Sequence, residues 1–569
     1  MFIIYLTKYW YLGIVVDTMY VDTSTLHQKG KTYTRHLLRE SYREEGKVRH
    51  RTIANLSKCS EQEVEAIKLA LRHKEDLRGL VSLEESLDLR QGPSIGAVWL
   101  LYRLAKELKI VDVLGTGREG KLALWQVIAR IIDQGSRLSA VRLASYHGVC
   151  DILDLESFDE DSLYGNLDWL SENQGRIEQE LFERSYVGNP PILYLYDVTS
   201  SYLEGETNAF GAFGYSRDGK RGKKQIVVGL LCDPLGRPLS IEVFSGDTQD
   251  LSTFASQVQK VAKRFGQGEV VFVGDRGMIK ASQIEDLKFQ GFHYITAITK
   301  PQIEALLASG VLQMSLFDES LAEVISEEGH RYVLRCNPVR VQEIALSRKD
   351  KLASLEKGVH QYNQYLKEHP RAKVEVGKRI LQERVEKLRI SKWATIEVNN
   401  RVFSVRVDPL ALAEASKLDG CYVLKTDLPP AIADKETVHD RYKDLTLVEK
   451  AFRTCKTVQL EMRPIHVRLE DRTRGHAFVV MLAYRITQEL ARRWNPLNLT
   501  VQEGIHQLTT LCSQEVIIKG KPHCHKIPQA DESILRLFET AGVRLPAALP
   551  NRGVRVTTKK KLQERRTTD

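Results

Sequence analysis

No Cys-x-x-Cys pair occurs anywhere in this chain. Its eight cysteines, at 59, 150, 232, 336, 421, 455, 512 and 524, are scattered, and several lie inside apolar stretches, as Cys232 does in Val-Val-Gly-Leu-Leu-Cys. That pattern excludes a disulfide framework and reads as the reduced, buried thiols of a cytosolic protein. His523-Cys524-His525 has no second ligand cluster with which to complete a zinc site. A long unbroken apolar run is missing as well. Residues 1–18 are apolar and aromatic, but they are short for a bilayer span and are interrupted by Lys8 and Asp17. They also lack the basic start and small-residue cleavage site of a secretory signal. Because Met19-Tyr-Val opens a regular pattern, residues 1–18 are expected to be an extension upstream of the native start, and no membrane partner is expected. A strong excess of charge is absent too: +9 over 569 residues permits a polyanionic partner without demanding one.

What is present is enough for more than one core, since a chain of this length divides into domains. Lys31 to Arg43 alternates apolar and polar residues, turns at Glu44-Glu-Gly46-Lys and continues from Val48, which predicts a β-hairpin with a basic face. That face suits a solvated edge as well as it suits DNA. Helical periodicity follows over 60–87 and 95–145, with a capping signal in Ser60-Glu-Gln-Glu, and again over 161–169 and 177–186. The centre changes character to β-β-β-α-β-α-β. It opens with the strand Leu193-Tyr-Leu-Tyr-Asp197 and includes Val270-Val-Phe-Val-Gly-Asp275. Residues 344–369 and 376–391 are charged and helix-prone, an arm followed by strands that meet at an Asn399-Asn400 turn. Residues 475–494 read as a largely buried helix. The basic tail from Arg552 is expected to be disordered and to hold DNA non-specifically.

Asp197 and Asp275 each end an apolar strand, and Glu449 lies on a later helix. In a mixed sheet of this order, the first and fourth strands are neighbours, so the two aspartates are predicted to lie side by side. Tyr442, Glu449 and Lys456, seven apart, are expected on one helix stripe, beside an apolar stripe of Leu445, Val448, Phe452 and Cys455. The bland alternative is a surface ion pair between Glu449 and Arg453. Asp247 and Asp250 compete for the site, Asp250 more plausibly as a helix cap; Asp233 is expected to hold a hairpin turn. Three carboxylates can share two Mg²⁺ ions about 3.5–4 Å apart, with Asp197 as the bridge, a device for phosphodiester chemistry.

These blocks resemble the DDE-type transposases of bacterial insertion sequences, in the branch with a Tyr-x2-Arg-x3-Glu-x6-Lys signature. Tyr442, Glu449 and Lys456 match it; Leu445 stands where the signature has arginine, with Arg441 and Arg453 as nearby substitutes. The resemblance implies an α/β fold: a ribonuclease H-like mixed-sheet core interrupted by an insertion domain, with a mainly helical N-terminal region preceded by a β-hairpin. It implies DNA-end binding by residues 19–187, a core in 188–300 and 441–500, an insertion over 301–440, and a C-terminal region over 501–569. It further implies Asp197, Asp275 and Glu449 as catalytic and metal-binding residues, and Tyr442, Lys456 and Arg453 as DNA contacts. Mg²⁺ is the implied cofactor, with Mn²⁺ as a substitute. The implied partners are double-stranded DNA (terminal inverted repeats and target) and further copies of the chain, as a homodimer or higher oligomer at the nucleoid. A ribonuclease H-fold nuclease without strand transfer, or an inactive DNA-binding derivative, is the alternative.

Overall fold

The computed structural model describes residues 18–28, 31–44, 47–74, 87–265, 270–457, 459–463, 465–518 and 521–559. The expected extension therefore lies outside the described residues but for Thr18, and so do the last ten residues of the basic tail.

The chain forms two compact units. The first, residues 1–91 with 514–526, holds an antiparallel sheet of β1 (Thr18–Gln28), β2 (Lys31–Glu44) and β3 (Lys47–Asn55). Strands β2 and β3 are the predicted hairpin, paired up to Glu44↔Lys47. Strand β1, which was not anticipated, pairs with β2 from Thr18↔Ser41 to Gln28↔Lys31. Helix α1 (Glu61–Arg72) starts where expected. The Ser60 amide donates to Glu63 Oε2 at 2.7 Å and the Glu63 amide donates to Ser60 Oγ at 3.3 Å. A capping box of this kind stabilises a helix start by about 1 kcal/mol.

After β4 (Leu87–Ser94) the second unit, residues 92–513 and 527–569, begins with helices. These are α2 (Gly96–Glu107), α3 (Ile110–Leu114), α4 (Arg118–Ile132), α5 (Arg137–Tyr146), α6 (Val149–Leu153) and α7 (Glu160–Ser185). The sequence pattern groups them with the hairpin; instead they share a core with the large sheet. The sheet begins with β5 (Leu193–Tyr202), β6 (Gln225–Cys232) and β7 (Pro238–Ser245). Helix α8 (Asp250–Lys260), β8 (Val271–Gly274), α9 (Ala281–Phe289), β9 (His293–Ala297) and α10 (Lys300–Ala308) follow. Next come β10 (Ala322–Ile325) and β11 (Arg331–Cys336), α11 (Pro338–Glu368) and α12 (Val374–Leu388), and then β12 (Ala394–Asn399), β13 (Val402–Val407), α13 (Pro409–Ser416) and β14 (Cys421–Thr426). Last are α14 (Lys435–Lys443), α15 (Leu445–Lys456), α16 (Glu470–Trp494), α17 (Val501–Thr509) and α18 (Glu532–Thr540).

Eight strands form one mixed sheet in the order β10-β11-β14-β9-β8-β5-β6-β7. Strand β5 is antiparallel to β6 and parallel to β8, and β8 is parallel to β9. This is the arrangement that the β-β-β-α-β-α-β order predicts. Side-chain alternation splits β5 between two cores: Leu193 and Leu195 face the helical side, while Tyr194, Tyr196 and Val198 face a core with Phe254 and Phe272. Helix α16 runs through the first core, buried continuously from Gly475 to Thr487, as its apolar sequence predicts.

The segment 301–440 contributes in two ways. Strands β10, β11 and β14 extend the large sheet, so this part does not stand off as a separate layer. Helices α11 and α12 and the β12–β13 hairpin form an arm with small cores of their own, Leu355, Val385, Ile390 and Trp393 in one, Val359, Leu366, Leu381 and Phe403 in the other. The hairpin turn falls on Asn400 and Arg401, both with positive φ, one residue later than expected. Residues 552–559 are ordered, against expectation. Val554 and Val556 pack on the helical core, Ser157 Oγ donates to the Arg555 carbonyl at 2.8 Å, and Lys559 meets Asp159 at 2.6 Å. Among the described residues, no helix is long and apolar enough to cross a membrane.

Candidate active site

Strands β5 and β8 run parallel from Leu193↔Val271 to Tyr196↔Gly274, which makes Asp197 and Asp275 the next pair along. Both line a cavity of about 440 Å³. Asp197 is not at the end of its strand, as was expected; β5 runs on to Tyr202, paired with β6. What ends at Tyr196 is the pairing with β8, because that strand stops at Gly274. The carboxylate therefore sits where two neighbouring strands part. The Val198 amide donates to Asp197 Oδ1 at 2.8 Å, and the Arg276 amide donates to Asp275 Oδ1 at 2.8 Å.

Glu449 reaches the same cavity from α15. Val448, Phe452 and Cys455 are buried as the predicted apolar stripe, leaving Glu449 exposed at its border. Among the described residues, the alternative ion pair with Arg453 does not form; Arg453 is exposed on the cavity wall and Glu449 has no partner. Tyr442 does not share the Glu449 helix, because α14 ends at Lys443 and α15 starts at Leu445. A tightened turn separates them, in which the Leu447 amide donates to the Asp444 carbonyl at 2.9 Å. From α14 the Tyr442 hydroxyl donates to Asp275 Oδ1 at 3.2 Å. Burial, and then the Asp275 charge, push this phenol above its ordinary pKa and keep it a donor.

Lys456 lines the cavity, yet its ammonium is engaged: it meets Asp218 Oδ1 at 2.5 Å and donates to Thr199 Oγ1 at 2.9 Å. The same Asp218 oxygen takes Arg463 Nη1 at 2.5 Å, and the Tyr202 amide donates to the other oxygen at 3.2 Å. Sequence reasoning missed Asp218 and Arg463. In Arg217-Asp218-Gly219 the acid is indistinguishable from an ordinary turn residue within a lysine-rich loop. Asp250 is the first residue of α8 and not its cap; both its oxygens take Arg217 Nη2 at 2.6 Å. Asp247 accepts the Ser245 hydroxyl at 2.5 Å and does not line the cavity. Asp233 holds its turn as predicted, accepting the Leu235 and Arg237 amides. Arg441 pairs with Asp444 at 3.0 Å, which leaves Arg453 as the unpaired one of the two substitutes for the missing arginine among the described residues.

Burial, reinforced by Asp275 and Glu449, pushes the Asp197 carboxyl up to about 7, against the Val198 amide and Arg217, which pull it down. Asp275 and Glu449 thus both lie within electrostatic reach of Asp197. Among the described residues, no three acid, histidine or cysteine side chains are already drawn into a metal-binding cluster. The donor set is nonetheless all oxygen, and it holds negative charge that a divalent cation would relieve; it fits a hard ion such as Mg²⁺.

Two aspartates from neighbouring parallel strands and a glutamate from a later helix thus line one cavity. The transposase DDE domain family matches residues 189–486, more than half of the chain, and the chain belongs to the DDE transposases. Residues 21–84 match the N-terminal domain of the IS1634 family transposases. No curated protein matches the sequence. Among solved structures, the piggyBac transposase synaptic complex with hairpin DNA is similar at 11% identity and a TM-score of 0.32, over 79% of this chain and 82% of that one. The Mos1 transposase paired-end complex with left transposon end is similar at 9% identity and a TM-score of 0.14, over 32% of this chain and 58% of that one. Both likenesses are too slight to bear on what this chain does.

Proposed function

We propose that the chain binds the terminal inverted repeats of an insertion sequence, cleaves DNA at those ends and joins the freed 3′-hydroxyls to target DNA. The observation that carries this reading is the meeting of Asp197, Asp275 and Glu449 in one cavity, delivered by two parting strands and a helix across 252 residues of sequence (449 − 197). Strands β5 to β9, with α15 and α16, are read as a ribonuclease H-like core spanning 188–300 and 441–500, interrupted by 301–440. Residues 19–187 are read as the DNA-end binding region, and the working form as a homodimer or higher oligomer on DNA.

Two Mg²⁺ ions, or Mn²⁺, held there would activate the attacking hydroxyl or water and stabilise the leaving oxyanion. Asp197, Asp275 and Glu449 would hold them. The amides of Val198 and Arg276 and the hydroxyl of Tyr442 fix the two aspartates before DNA arrives. Arg453 at the rim is free to meet a phosphate.

The test is cleavage of a labelled inverted-repeat end with Mg²⁺ or Mn²⁺. Asp197→Asn, Asp275→Asn and Glu449→Gln should each lose more than the roughly 10–100-fold that removal of an outer-shell partner costs, while DNA binding persists. A variant that cuts at the wild-type rate removes its residue from the site. Cutting without any joining of 3′ ends would identify a nuclease instead.

A further inference from the structure

A second cleft, of about 850 Å³, opens at the base of the arm between α10, α11, α13 and the turn after α12; it shares no residue with the carboxylate cavity. Some of its charges are matched within the protein. Arg340 pairs with Glu343 at 2.7 Å, and Arg348 is clamped on Asp419. Three are not. Lys351, Arg389 and Lys392 line the cleft, and among the described residues none of them forms an ion pair or a side-chain hydrogen bond. They come from α11, from the end of α12 and from the turn before β12, three places that the small core of Leu355, Val385, Ile390 and Trp393 locks together.

Arg389 also occupies a backbone position that favours another residue. It ends α12 at φ 56°, in the left-handed region where glycine is the usual terminator. Ile390 and Trp393 are buried, so the cleft offers a ligand charged groups, with cations in excess over Glu304, Glu343 and Glu414, and not aromatic faces. Such a surface suits phosphates and not base edges.

We infer that Lys351, Arg389 and Lys392 form a sequence-independent site for the DNA phosphate backbone on the arm, separate from the carboxylate cavity. The inference rests on the transposase reading for its choice of ligand. The experiment is titration of the full chain with a random-sequence DNA duplex over a range of salt concentrations, without divalent metal. Lys351→Ala/Arg389→Gly/Lys392→Ala should bind at least about tenfold more weakly at ~0.1 M salt. The dependence of log affinity on log salt should flatten by roughly 2–3, at about 0.9 for each phosphate no longer neutralised. Arg389→Gly alone relieves the backbone and should flatten the slope by about 0.9, the share of a single phosphate, while thermal stability holds or rises. Unchanged affinity and slope in the triple variant would overturn the site, as would a weakening seen only together with unfolding. End cleavage by the wild type reports on the other cavity: binding that depends on the arm without any cleavage sinks the transposition reading and leaves the arm site standing.

Discussion

At the scale of single residues, Tyr442 and Asp218 decide how the cavity is held. Tyr442→Phe removes only the hydroxyl that donates to Asp275. We expect cleavage to fall roughly 10–100-fold, with recovery at higher metal concentration, because outer-shell partners act through metal affinity. An unchanged metal dependence would show that the hydroxyl does not position Asp275. Asp218 compensates Lys456 and Arg463, and its own side chain is almost fully buried. Asp218→Asn strands a buried ammonium and should cost about 3 kcal/mol, the low end for a broken buried pair because Arg463 is partly exposed; chemical denaturation of the full chain measures it. The three acids could be singled out in the sequence because two follow unbroken apolar runs and the third borders an apolar helix stripe. The partners were not. Asp218 sits in a loop with no period, and whether Lys456 faces a phosphate or a carboxylate depends on where that loop folds.

At the scale of elements, the crossing of α7 and α16 is tight enough to test. A methyl group placed on Gly475 would lie 2.2 Å from the Leu167 carbonyl oxygen, a backbone atom that cannot rotate away. Gly475→Ala should therefore destabilise by about 1–3 kcal/mol, although the same change on an open helix would stabilise by up to about 1 kcal/mol. A rise in melting temperature would show that the two helices do not approach so closely. Element types were the readable part of this chain. The apolar strands β5 to β9, the capping box of α1 and the buried α16 all lie where the pattern put them. Boundaries failed where a tertiary contact sets them: the turn between α14 and α15 has no glycine or proline to announce it, and β1 owes its place to β2.

At the scale of the whole molecule, the arm leaves and returns at one point. Cys336 and Cys421 are partners in the β11–β14 register, and the Asn337 amide donates to the Gly420 carbonyl at 2.9 Å. Replacing residues 338–419 by a short turn should leave the large sheet folded, with a single cooperative melt, since the arm has its own cores and the cut ends already touch. A chain that fails to fold would show that the arm braces the sheet. Motif order places an interruption between Asp275 and Glu449 but does not foretell that its outer strands join the sheet, because strand partners at a sheet edge carry no local signal.

That shared doorway bears on the order in which the protein assembles. Asp197 and Asp275 are brought together by a pairing that spans only the strands and helices between them, whereas Glu449 lies beyond the whole arm. If the arm had to close as one floppy loop, its entropy would delay the arrival of α15. Strands β11 and β14, once zipped, turn that loop into a short link, so the arm's own collapse should precede docking of the last carboxylate. Pulse-labelled hydrogen exchange during refolding would then protect amides of α11 and α12 before those of α15, and simultaneous protection would mean the arm offers no such shortcut.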